Sequence, residues 1–209
     1  MGNFINKIFG KKKAVVVPDT QPDYPQPFGY KTVWYAIKGE TPQTVIEKLR
    51  LEIVGESNWE FGLNHVYKSD DVFVSPQIGD FVLVIDLLGK FHNADVESAK
   101  KHSEIFDEFY YFGSHRVSDY YAWAKFARRE LIRAYEYSGD DGMMLNTGAI
   151  TVEELALKFD EFPTTDEWNE NDRPPEEDDV IDIAKAWSID PTFSAGSTEK
   201  SVGHICRFV

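Results

Sequence analysis

From residue 30 onward the apolar positions switch between two periods, and the switches mark the elements. In "YKTVWYAIKG", residues 30–39, β-branched and aromatic residues run up to Gly39, which predicts a strand. "TPQTVIEKLRLE" then takes a helical period: Thr41 stands at the N-cap, Pro42 at the first helical position, and Val45, Ile46 and Leu49 share a face. "DVFVSPQIGDFVLVIDLLG" predicts two strands around a turn at Pro76–Asp80, and its second run is apolar enough for a central strand covered on both faces. "DVESAKKHSEIFDEF" returns to helical spacing, with Asp95 as N-cap and a stripe of Val96, Ala99, Ile105 or Phe106, and Phe109.

The stretch 108–137, "EFYYFGSHRVSDYYAWAKFARRELIRAYEY", is crowded with rings and arginines. It predicts a strand "YYAWAKFAR", a turn near Arg129–Glu130, and a returning strand "ELIRAYEYSG". Alternation puts Tyr121, Trp123 and Lys125 on one face with Leu131, Arg133, Tyr135 and Tyr137 from the second strand. The opposite face carries Ala122, Ala124, Phe126, Ile132, Ala134 and Glu136. A face that mixes large aromatics with cations is either cross-strand packing or a recognition surface. Tyr, Trp and Arg dominate interface hot spots, which makes Tyr121, Trp123, Arg133, Tyr135 and Tyr137 candidate partner-binding residues.

In the last third, "TVEELALKF" is a short helix with a capping box from Thr151 to Glu154. An acidic, proline-containing loop follows. "PPEEDDVIDIAKAWSID" is then a helix whose carboxylates crowd its positive N-terminal end, with Val180, Ile183, Ala184 and Trp187 docking on the core. The element order predicts an α+β fold: a mostly antiparallel sheet with helices on one face, split-βαβ (ferredoxin-like) or a related sandwich. Residues 1–27 read as a basic segment and proline-rich linker, 28–150 as the core, and 151–209 as an acidic, helical and irregular extension packed on it.

Charge narrows the function. The chain carries a formal −14, which argues against nucleic acid as a partner. From Glu153 to Asp182 there are 13 acids against Lys158 and Arg173. Such a stretch is a solvated loop or an attractor for a basic partner, and the second reading makes Asp166, Glu167, Glu170 and Asp172 candidate contacts. Residues 1–13 hold Phe4, Ile5, Ile8 and Phe9 with four lysines, a solubilising terminus or a weak contact with an anionic membrane. No apolar run approaches the ~18–20 residues that span a bilayer, and the start is not a signal peptide, so a cytoplasmic protein without stable membrane insertion is expected. Cys206 is the only cysteine, so no internal disulfide can form, and it reads as a small buried hydrophobe.

Candidate chemistry is sparse. Phosphate-binding glycine loops, HExxH and GxSxG are absent. In "FGSHRV", Gly113 permits a bend that would re-aim Ser114, His115 and Arg116, with Asp119 or Glu136 as an acid. His115 reads either as a structural hydrogen-bonding residue or as a base. Glu176, Asp179 and Asp182 could hold a cation, but the helix macrodipole explains acids at that position. No metal or cofactor is expected.

"FGSHRVSDYYAWAK", "IRAYEYSGDDG", "TVEELAL" and "DDVIDIAKAWSIDP" together resemble a group of uncharacterised bacterial proteins with FG-x-HRV, Y-x-AW and AxxWSxDP patterns, over residues 28–192. The basic start and acidic body are similar in style to immunity proteins encoded beside secreted bacterial toxins. The expected function is therefore a protein-binding domain, an immunity-type inhibitor of a basic toxin domain. The alternative is a small enzyme built on His115, Arg116 and Asp119. An enzyme should show a concave pocket around His115, and a binder a flat or convex aromatic and acidic patch.

Overall fold

Strand β1 (Thr32–Lys38) sets the architecture. Trp34 and Ala36 enter one buried cluster while Val33, Tyr35 and Ile37 enter another, so both faces of the strand need cover. The structure, a computed structural model, describes residues 17–86, 95–163, 169–170, 172–196 and 199–209. Within them β1 is joined by β2 (Leu51–Ser57), β3 (Val72–Val74), β4 (Phe81–Asp86), β5 (Glu108–His115), β6 (Tyr120–Ala127), β7 (Glu130–Ser138), β8 (Gly142–Thr147) and β9 (Gly203–Phe208). These form one nine-stranded sheet in the order β2-β9-β3-β4-β1-β5-β6-β7-β8, antiparallel at every junction.

Helices lie on both faces. Helix α1 (Pro42–Lys48) and helix α3 (Val96–Ser103) bury Val45, Ile46, Val96 and Ala99 against the Tyr35 side. Helix α2 (Trp59–Val66), helix α4 (Val152–Ala156), a 3-10 turn (Phe159–Glu161) and helix α5 (Glu177–Trp187) cover the Trp34 side. The expectation of helices on one face is thereby corrected, for the reason visible in β4. Its unbroken run sends Leu83 and Ile85 to one cluster and Val82 and Val84 to the other. The sheet itself is antiparallel, as expected; along the chain α2 lies between β2 and β3, which flank β9, and α3 between β4 and β5, which flank β1. No helix among the described residues is long and apolar enough to cross a membrane.

Three local readings also change. The helical stripe expected to reach Phe109 stops at Ser103, because Phe109 pairs across the sheet with Ile37 and Phe126. The β6–β7 hairpin turns on Arg128 and Arg129, both with positive φ (52° and 67°), a two-residue turn whose twist matches the strands. A bulge between Lys125 and Phe126 pairs Phe126 with Leu131 and Lys125 with Arg133. Leu131 therefore packs with Phe126 on the face opposite Arg133, against simple alternation.

Described segments near both ends, from Asp19 and through Phe208, are woven into the body. Strand β9 lies inside the sheet, between β2 and β3, so residues 151–209 are more than an extension laid on a finished core. Within the expected linker, both carboxylate oxygens of Asp23 accept from the first amides of α2, Trp59 N at 2.7 Å and Glu60 N at 2.9 Å. The Asn58 amide donates to Asp19 O at 2.7 Å, and Asp23 bridges to Ser201. Asp23 thus satisfies donors that a helix start leaves open, with its charge at the positive end of the helix dipole. Asp23→Ala is expected to cost about 1–2 kcal/mol in urea unfolding. An unchanged midpoint would show that the strap is not coupled to the fold. Residues 1–13, read as an amphipathic basic piece, lie outside the described residues.

Candidate binding cleft

Two segments far apart in sequence meet at one end of the sheet. The first is the turn between β5 and β6. There His115 O accepts from the Ser118 amide at 3.1 Å, and His115 Nδ1 lies 3.1 Å from Ser118 Oγ. Asp119 takes a left-handed φ of 45°, and its Cβ lies close enough to Gly139 that a side chain at 139 would meet it at 2.8 Å. The second segment is the start of α5, where Pro174 and Pro175 lead into Glu176, Glu177 and Asp178.

The α5 carboxylates are held by specific partners. Glu177, only 9% exposed, accepts from Ser114 Oγ at 2.9 Å and the Lys31 amide at 3.0 Å, and its second oxygen lies 3.7 Å from Arg116. Tyr30 donates to Asp178 at 2.8 Å. Asp179 turns away to pair bidentately with Arg173, 2.8 Å at each contact, while Arg173 sits over the Phe162 ring. Among the described residues no three His, Cys, Asp or Glu side chains converge as metal ligands.

Between the two segments lies a cleft of about 680 Å³, lined by Tyr30, Arg116, Asp119, Tyr121, Tyr137, Gly139 and residues 174–178. Tyr121 and Tyr137 are direct cross-strand partners on β6 and β7. Burial, then the Asp119 and Glu177 carboxylates, push the Tyr121 phenol up to about 12. Tyr137 is raised by burial and Asp119, and Tyr30 by its hydrogen bond to Asp178. All three therefore stay protonated at neutral pH, as neutral donors with electron-rich faces.

This geometry divides the residues that the sequence grouped. Tyr121 and Tyr137 line the cleft, although each is only 5% exposed. Trp123, Arg133 and Tyr135 do not: each is fully buried, and the expectation of a half-exposed face is corrected there. Trp123 and Tyr135 stack at 4.9 Å, and Phe159 and Phe162 close over them. Arg133 pairs with Glu154 of α4. The reason is a later segment, residues 151–163, folding over this part of the sheet. Arg116 and Asp119 line the cleft, and His115 does not. Glu170 is exposed and Asp172 half-buried, its carboxylate accepting from the Asn169 amide at 2.8 Å; neither lines the cleft. Asp166 and Glu167 lie outside the described residues. Tyr30, Glu177 and Asp178 were missed as site residues, although "PPEEDD" signalled the acids. Cys206 is buried, which pushes its thiol up to about 12.

Glu136, the other acid weighed beside His115, sits on the opposite face of the sheet. It accepts from Tyr120 OH at 2.7 Å, and Tyr120 in turn meets Tyr111 OH at 2.8 Å. Burial raises its carboxyl above the ordinary value despite the Tyr120 bond. The folded state then holds this proton more tightly than the unfolded chain does. Its stabilising contribution is full below the usual glutamate range and is lost as pH rises through the raised value. Glu136→Gln, which still accepts from Tyr120, is expected to gain melting temperature over wild type at pH 7 relative to pH 4. Equal differences at the two pH values would refute the burial argument.

Comparison with family models, with curated proteins and with solved structures finds no match.

Proposed function

We propose that the chain is a non-enzymatic protein-binding domain that seats a basic side chain of its partner in this cleft. One observation carries the reading: the lining sets four carboxylates and three neutral tyrosines against a single arginine. Carboxylates pair with guanidinium or ammonium groups, and a ring face adds ~0.5–2 kcal/mol to a cation positioned over it. The net charge of −14 steers a basic partner toward the surface before contact. An immunity-type inhibitor of a bacterial toxin domain fits these properties, because a toxin acting on nucleic acid carries a basic cleft of its own. The flat or convex patch expected of a binder is not what is found at this site; the cleft is concave but is not lined by His115, and a concave site suits capture of a single side chain.

The second reading is a small enzyme, favoured by Arg116 and Asp119 lying together in a concave cleft. Titration of the ¹⁵N-labelled chain with N-acetyl-arginine amide, and with its uncharged citrulline counterpart, tests the first. Arginine should shift the Tyr30, Tyr121 and Tyr137 resonances at low salt, citrulline should not, and Glu176→Gln with Asp119→Asn should remove the shift. Equal shifts from both probes, or none from arginine, would sink the proposal. His115→Ala should leave arginine binding within about twofold, since His115 lies outside the lining.

A further inference from the structure

Tyr30 lines the acidic cleft and also a second depression. The latter measures about 710 Å³ and is lined by Pro27, Phe28, Tyr30, Leu63 and Tyr67 among others. Phe28 and Leu63 belong to the buried core, whereas Tyr30 and Tyr67 are 50% and 55% exposed. Apolar surface is thus open to solvent directly beside a carboxylate-rich cleft. Its charged lining, Lys31 and Glu60, is balanced, so this depression has no charge preference of its own.

The shared wall is preformed. Gly29 takes a φ of 109°, and a side chain there would strike Ile181 Cδ1 at 2.4 Å, so the backbone packs directly on α5. Lys31 is also left-handed, at φ 52°. Around Tyr30, the Phe28 amide donates to Pro191 O at 3.0 Å, the Lys31 amide to Glu177 at 3.0 Å, and the Tyr30 hydroxyl to Asp178 at 2.8 Å. A ring held by bonds on both sides and at its tip loses little freedom when a ligand arrives.

We infer that the two depressions form one bipartite docking surface for a protein segment carrying a basic and an apolar side chain. The basic residue enters the acidic cleft and the apolar one packs against Phe28, Leu63 and Tyr67, with Tyr30 between them. This rests on the proposed function for its cationic half and adds a sequence requirement to the partner. One ring separates the two seats and an extended chain advances ~3.3 Å per residue, so the two side chains stand within about four residues of each other. Charge complementarity selects the occupant: a purely apolar segment would leave the carboxylates unpaired, and a purely basic one would leave the apolar depression wet.

The test uses capped peptides in which one arginine precedes one leucine by one to four glycines. Controls replace leucine by glycine or arginine by citrulline. For the best spacing, the two-headed peptide should bind the full chain at least about tenfold more tightly than the arginine-only control. Tyr67→Ser should erase that gain and leave arginine-only binding unchanged. If no spacing gains over arginine alone, the bipartite surface is wrong while the acidic cleft stands; if no arginine peptide binds, both fail. Two further results would overturn the inference. Dimers in sedimentation that Tyr67→Ser abolishes would assign the surface to a second copy. Tenfold tighter peptide binding after changing Lys11, Lys12 and Lys13 to glutamine would assign it to the chain's own basic terminus.

Discussion

A chain ending at Val202 is expected not to fold. The deletion removes β9, which lies between β2 and β3 and pairs with both. Ile205 belongs to one core cluster and Cys206 to the other, at 1% and 0% exposure, so both layers lose packing. Two buried side chains are worth ~1.5–3 kcal/mol each, and two ladders of hydrogen bonds go with them. Strand β2 is then left without a strand partner. Against a typical domain stability of ~5–15 kcal/mol, that loss is decisive. Circular dichroism of the shortened chain should show no cooperative melt. A cooperative transition within about 5 °C of the full chain would refute the assignment of β9 as structural. A graded version is Gly203→Val, because a Cβ at 203 would meet Val74 O at 2.4 Å, and backbone there cannot give way. That variant should fold with clearly reduced stability.

Glu154→Ala carries the second large effect, about 3–5 kcal/mol in urea unfolding. Arg133 and Glu154 are both fully buried, with Arg133 Nε 2.9 Å from each carboxylate oxygen. Trp123 Nε1 donates to the same carboxylate at 2.8 Å, and the Thr151 amide at 2.8 Å closes the capping box of α4. Asn146, Thr147 O and Ala134 O accept from Arg133 Nη1, while its guanidinium lies 4.8 Å from the Phe159 ring centroid. Removing the carboxylate strands a guanidinium and an indole N–H in a medium that cannot solvate them. Replacing both partners together, Arg133→Met with Glu154→Met, should cost less than Glu154→Ala alone, since no charge is then orphaned. If the double replacement costs as much as the sum of the single ones, the two residues are not coupled.

Chemistry follows the same division as stability. Had the aromatic and arginine face been open along its length, Trp123→Ala would report on binding. With Trp123 in the core it reports on folding, and the binding test moves to Glu176, Asp119 and Tyr67.

What the sequence determined by itself is local. Thr41 with Pro42 starts α1, Thr151 with Glu154 caps α4, and Asp95 caps α3, because in each start a cap side chain accepts from the backbone amide three residues on. The unbroken apolar run of β4 announced an interior strand for a similar reason: a strand's own residues state how many of its faces are dry. Short or mixed elements were not legible. Strand β2 shows an exposed, glycine-interrupted pattern because it is an edge strand, and α2 is a short helix with Gly62 in its middle, packed against Phe73. Tertiary structure alone decided the rest. A period of two says which residues share a face and never what later covers that face. Residues 151–163 buried the middle of the aromatic array, while Tyr121 and Tyr137, themselves 5% exposed, line the cleft. The cleft itself joins Tyr30, Asp119 and Glu177, which come together only because β1, the β5–β6 turn and α5 converge at one end of the sheet. Long-range pairing brings those residues into contact, and no local spacing encodes it.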